Sequence, residues 1–128
     1  MSLERNSSLK ALRPKIEILE KSNQSEFEHF QNTVLRQICK FQNEILLEFI
    51  SFYIQSKNKN FSKHAPTDKL KFIESLFSKD TSFKNTLKGL VIGHFTKAEF
   101  QFYSLNLSEI NKRIIQLIKT RFLSQFKY

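Results

Sequence analysis

The chain has 128 residues, with 21 Lys and Arg against 12 Asp and Glu, a formal net charge of +9, and only one Cys, two Gly and two Pro. A lone cysteine excludes an internal disulfide and fits a reducing, cytoplasmic setting, and no run of 18 apolar residues is present to cross a membrane. Fourteen Phe supply core material without a disulfide or metal staple, and the scarcity of turn-formers implies few, long elements and an all-α fold.

Residues 1–24 mix Ser, Asn, Lys and Glu around Leu9, Leu12, Ile16, Ile18 and Leu19. Met1 to Lys15 is polar, with no apolar stretch of the kind a signal peptide needs. Pro14 limits any helix before it. The segment reads as an N-terminal arm, partly extended, whose few apolar side chains dock on a neighbour; the helical domain proper is expected over 25–128.

Ser25 and Glu28 have the spacing of a capping box. From there to Lys57 the chain has no Gly and no Pro, and Phe27, Phe30, Val34, Ile38, Phe41, Ile45, Phe49 and Phe52 recur in steps of three and four. That spacing predicts one helix, about 50 Å long. A compact chain of this length has a radius of gyration of only about 14 Å. The first half of the helix is therefore expected to project, and a symmetric homodimer is the expected assembly. From Ile45 onward almost no polar face remains, so the second half is expected at the centre of the core.

After a basic loop over 57–65, Pro66 and Thr67 open a helix with Leu70, Ile73 and Phe77 on one side and Leu76 beside them. Thr81 is the expected cap of a third helix carrying Phe83, Leu87, Leu90 and Val91 and ending near Gly93. Gly89, inside that helix, costs about 1 kcal/mol relative to Ala, and close helix–helix approach is the expected compensation. Thr96 with Glu99 repeats the capping-box spacing, and Asn106 or Ser108 starts the last helix, which runs to about Phe126. The expected fold is all-α, with four or five helices around one long central helix.

No local motif assigns chemistry. His29, His64 and His94 fall on different elements, and neither a His-x-x-x-His nor a Cys/His spacing occurs, so no metal or cofactor site is assigned. Cys39 has no His partner in the pattern, and no Gly-rich phosphate loop or Gly-x-Ser-x-Gly turn is present, so no catalytic residue is assigned. Polar residues on apolar stripes are the exception. Gln31, Gln42, Glu74, Asn85, His94, Asn111 and Arg121 are expected to pair within the core, across a subunit seam or around a ligand. A small-ligand reading places Gln42, Asn85 and Asn111 on one internal pocket.

The charge is unevenly spread. Residues 1–56 are balanced, seven against seven, whereas residues 57–128 carry fourteen Lys and Arg against five acids. Lys112, Arg113, Gln116, Lys119, Thr120 and Lys127 share the outer face of the last helix, which makes this half a candidate nucleic-acid surface. A solvated face and an AT-biased composition account for the same charge. The leading expectation is a non-enzymatic interaction or scaffold protein acting as a homodimer on a protein partner. Nucleic-acid binding through the basic half and small-ligand binding are the alternatives.

Phe41-Gln42-Asn43-Glu44, Phe83-Lys84-Asn85, Leu87-Lys88-Gly89, Phe95-Thr96 and Asn111-Lys112-Arg113, in that order, resemble a family of small helical proteins from Bacteroidetes-type bacteria, many carrying the label glyoxalase. The resemblance covers most of residues 27–118 and implies a helical fold of uncharacterised role. Where that family often has Pro, this chain has Gln37, which favours an unbroken helix. The label implies metal-dependent chemistry on β-strands bearing His and Glu ligands; the chain has neither the strand pattern nor the ligand set, so that chemistry is not expected.

Overall fold

Seven helices account for most of the chain in the computed structural model, which describes residues 2–15 and 25–126. They are α1 (Ser2–Leu12), α2 (residues 26–41), α3 (Asn43–Lys57), α4 (Pro66–Lys79), α5 (Thr81–Ile92), α6 (Lys97–Leu105) and α7 (Leu107–Gln125), with a 3₁₀ turn at Phe61–Lys63. No strand occurs among the described residues.

The single long helix is not observed. The chain turns at Gln42, whose backbone (φ −87°, ψ 5°) leaves the helical region. Its side-chain Nε2 donates to the carbonyl of Leu90 at 3.0 Å, tying the bend to α5. Within α2, Gln31–Leu35 forms a π turn, which adds a residue to the helical repeat and moves the buried face forward along the sequence. Phe30, Val34, Leu35, Ile38 and Cys39 are buried before the bend, and Leu46, Ile50 and Ile54 after it. Thus the first half of the expected helix lies in the core of its own chain instead of projecting. The second half is not surrounded: Ile45 is 49% exposed and Phe52 is 68% exposed.

The central element is α7, which packs against α2, α5 and α6. Its Ile110, Ile114, Ile118 and Phe122, four residues apart, form one continuous buried stripe. Facing it are Phe83, Leu87 and Val91 of α5, with Ile73, Leu76 and Phe77 of α4 beside them. Phe77 meets Phe83 edge-on at 5.0 Å and Tyr53 approaches Phe83 at 5.0 Å, while a second group joins Phe30, Phe95, Phe102 and Tyr103.

Caps set the boundaries. Asp80, one residue before the expected Thr81, caps α5 by accepting from Phe83 N–H at 3.0 Å and also accepts from Tyr53 Oη. Thr96 and Glu99 form the expected reciprocal capping box of α6. Ser25 accepts from Glu28 N–H at 3.1 Å, opening α2. Asn106 stands before α7, but its side chain serves the preceding helix, donating to Phe102 O at 2.9 Å. Gly89 is exposed, and a β-carbon there would meet nothing within 4 Å, so close helix approach does not account for it.

Ser2–Leu12, read above as part of a partly extended arm, is helical; residues 16–24 lie outside the described residues. None of the described α1 side chains, residues 4–12, belongs to the buried core cluster. Instead, Arg5 donates to the carbonyls of Phe95 and Gly93 at 2.8 and 2.9 Å, and Arg13 donates to His94 O at 2.8 Å and to both carboxylate oxygens of Glu99 at 2.7 and 2.6 Å. Two arginines anchor the N-terminal segment; of the apolar residues expected to dock, Ile16, Ile18 and Leu19 lie outside the described residues.

Candidate functional site

A groove of about 580 Å³ runs between α2 and α7. Its floor carries Cys39 and Leu117, and its walls carry Arg36 and Lys40 from α2 with Arg113, Gln116, Thr120 and Arg121 from α7. On the other side of the α7 ridge, a second depression of about 490 Å³ is lined by Lys84 and Lys88 from α5 together with Lys112, Arg113 and Gln116. Arg113 and Gln116 belong to both, so the two form one track across α7. Among the described residues, seven cations (Arg36, Lys40, Lys84, Lys88, Lys112, Arg113 and Arg121) line this track, and no carboxylate does. The nearest acid along α7 is Glu109, exposed one turn before Arg113.

This convergence has a local cause. The buried 110/114/118/122 stripe of α7 points into the core, which turns residues 112, 113 and 116 outward. The packing of α2 against α7 delivers Arg36 and Lys40 to the groove. Those two residues come from the half of the sequence whose charges balance, and a reading by charge blocks passes over them. Arg113 also stacks over the Phe27 ring at 5.4 Å, a cation–π contact that bridges α7 to the start of α2.

Among the four sequence-selected nucleic-acid residues, Lys112, Arg113 and Gln116 are exposed on the track. Lys119 is not free for it: its ammonium pairs with Glu74 of α4. Lys127 lies outside the described residues.

The stripe polar residues do not converge on one pocket. Gln42 serves the bend, Asn111 accepts from Tyr103 Oη at 2.7 Å, and Asn85 is exposed on α5. Among the described residues, Gln42, Asn85 and Asn111 therefore do not share one internal pocket. Glu74 is held by Lys119, Gln31 lines the α2–α7 groove, and Arg121 donates from Nε to Asn43 Oδ1 at 2.7 Å. His94 follows α5, with its ring 5.4 Å from that of Phe41. Burial, and then the positive charges of Arg13 and Arg5, hold its pKa below the ordinary 6.5.

Sequence reasoning missed the Arg13–Glu99 pair, 86 residues apart along the chain, with side chains 5% and 12% exposed. Burial would raise the Glu99 carboxyl, but the hydrogen bonds from Arg13 and Thr96 and the Arg13 charge outweigh it and hold the pKa below 4.5. The Cys39 thiol, also buried, is pushed up to about 12 by desolvation, with Arg121 and then Arg36 pulling the other way. It stays protonated at neutral pH, which makes it a poor nucleophile. No group of three or more His, Cys, Asp or Glu is placed to hold a metal among the described residues, and no described helix is long and apolar enough to cross a membrane.

No family model matches the chain, and no curated protein or solved structure matches it.

Proposed function

We propose that this chain is a non-enzymatic nucleic-acid-binding protein that holds the phosphate backbone in the cationic track across α7. The observation that carries this reading is the track itself, where seven cations from three helices, and no carboxylate among the described residues, line two adjoining depressions. A solvated charged face normally mixes signs; a single-sign concave surface focuses potential and raises the local concentration of polyanions. Concavity favours a single strand, since a duplex is read by a protruding helix or ribbon that enters its groove.

The test is fluorescence anisotropy with a labelled single-stranded 12-mer and the matching duplex across a salt series. If four to seven phosphates are engaged, log K should fall with log[salt] with a slope of about −3 to −5 on the single strand. Lys112→Glu with Arg113→Glu should abolish binding at 0.15 M salt, with melting temperature lowered by no more than about 2–4 °C through loss of the Arg113–Phe27 contact. Indifference to both the salt and the charge reversal removes this reading.

A second reading, a homo-oligomeric interaction protein, is supported by a different surface. Phe41, Ile45 and Phe52 lie along one side of the α2–α3 bend at 40%, 49% and 68% exposure, a row of apolar groups left to solvent. Sedimentation equilibrium with Phe52→Ser separates the readings: an oligomer that dissociates on this change, without affinity for nucleic acid, favours the second.

A further inference from the structure

Arg36 and Arg121 face the α2–α7 groove from opposite helices and are fastened in the same way. Arg36 Nε donates to Asn32 Oδ1 at 3.0 Å, one turn earlier on α2, and Arg121 Nε donates to Asn43 Oδ1 at 2.7 Å, at the start of α3. Asn43 Oδ1 also accepts from Gln125 Nε2 at 3.4 Å, so the asparagine that orients Arg121 is itself tied to α7. An Nε bond fixes the plane of a guanidinium while leaving both terminal nitrogens to face outward. Those terminal nitrogens have no hydrogen-bond or ion-pair partner among the described residues. Both charges also act on the buried Cys39 thiol in the groove lining, which places their fields on a common floor.

We infer that Arg36 and Arg121 form a preorganised clamp for one phosphoryl group, with Thr120 and Gln31 beside it as neutral hydrogen-bonding groups. This rests on the nucleic-acid reading above and deepens it: the track has one position where geometry, and not charge alone, selects phosphate. A planar fork meets two phosphate oxygens at once, which the point charge of lysine cannot do. Holding each fork at Nε removes part of the side-chain ordering that binding otherwise requires. The phosphoryl group has two chemical sources, an internal phosphodiester of the strand or a terminal phosphomonoester, and the same groove chemistry suits both.

The experiment uses the full chain and oligothymidylate 12-mers with and without a 3′-phosphate, followed by anisotropy across a salt series. The double change Arg36→Lys and Arg121→Lys keeps every charge and is expected to weaken binding about 10-fold or more. Asn43→Ala is expected to weaken binding several-fold with the salt slope unchanged, because an orienting group is lost and no cation is. Melting temperatures of both variants, read alongside, identify any loss due to unfolding. Tighter binding of the 3′-phosphorylated strand, together with competition by millimolar inorganic phosphate, would assign a terminal monoester; equal binding of both strands without competition would assign an internal diester. Lysine variants that bind within two-fold of the parent overturn the clamp and leave the nucleic-acid reading standing. A parent protein that binds neither strand overturns both.

Discussion

Replacing Arg13 by Met tests how the N-terminal segment is held. The guanidinium makes three hydrogen bonds of 2.6–2.8 Å, two of them to Glu99 and one to His94 O, from a side chain only 5% exposed. Removing one partner of a buried ion pair costs about 3–5 kcal/mol where the orphaned charge stays buried. Here no described α1 side chain belongs to the buried core, so the segment can lift and let water reach Glu99, and the carboxylate keeps the Thr96 N–H at 2.8 Å. The expected loss is therefore smaller, about 2–3 kcal/mol, or roughly 6–12 °C in melting temperature at this chain length. A double-mutant cycle with Glu99→Gln should return a coupling of about 2 kcal/mol. Thermal and urea unfolding at pH 7 measure the cycle, and hydrogen exchange of the α1 amides reports whether the loss is local. Additive single effects, with coupling below about 0.5 kcal/mol, or α1 amides that stay protected in the Arg13 variant, would refute the anchoring argument.

Two further expectations concern stability. Gly89→Ala should stabilise the protein by about 1 kcal/mol, because the position is helical, exposed and open around a β-carbon; a fall in melting temperature would show that the space is not open. His94 should titrate below 6.5, so the unfolded chain takes up its proton first. Its contribution is then complete above pH 6.5 and declines as pH falls from 6.5 toward the folded value, whereas Glu99, held below 4.5, contributes fully above 4.5 and loses that contribution only as pH falls further, through its folded value. Urea midpoints at pH 7.5 and 5.5, compared with those of His94→Gln, measure the histidine part; equal pH dependence in the two proteins would contradict it.

The helical class and most helix cores were legible because they are local. Ile110, Ile114, Ile118 and Phe122, or Phe83, Leu87 and Val91, announce a buried face by spacing alone. The bend at Gln42 was not legible, since nothing near it breaks helix propensity; the turn is fixed by a bond to Leu90 O, 48 residues away. The packing of α2 against α7 is likewise non-local; it reverses the expectation for the first half of the helix and brings Arg36 and Lys40 to the C-terminal face. The basic residues of α7 were legible by type, but the neutralisation of Lys119 by Glu74 depends on how α4 packs. For Asn85, Asn111 and Gln42, stripe position alone could not distinguish a solvent-facing asparagine from one bonded to Tyr103 or a glutamine bonded to a backbone carbonyl.

The central claim, that the track across α7 is where a nucleic acid sits, is tested most directly by mapping amide and arginine Nε–H shifts in ¹⁵N-labelled protein titrated with a short single strand. The largest changes are expected on Arg36, Lys40, Lys112, Arg113, Gln116 and Arg121, with Asn32 and Asn43 following their arginines. Changes confined to Ile45 and Phe52 or to α1, or none at low salt, would contradict it.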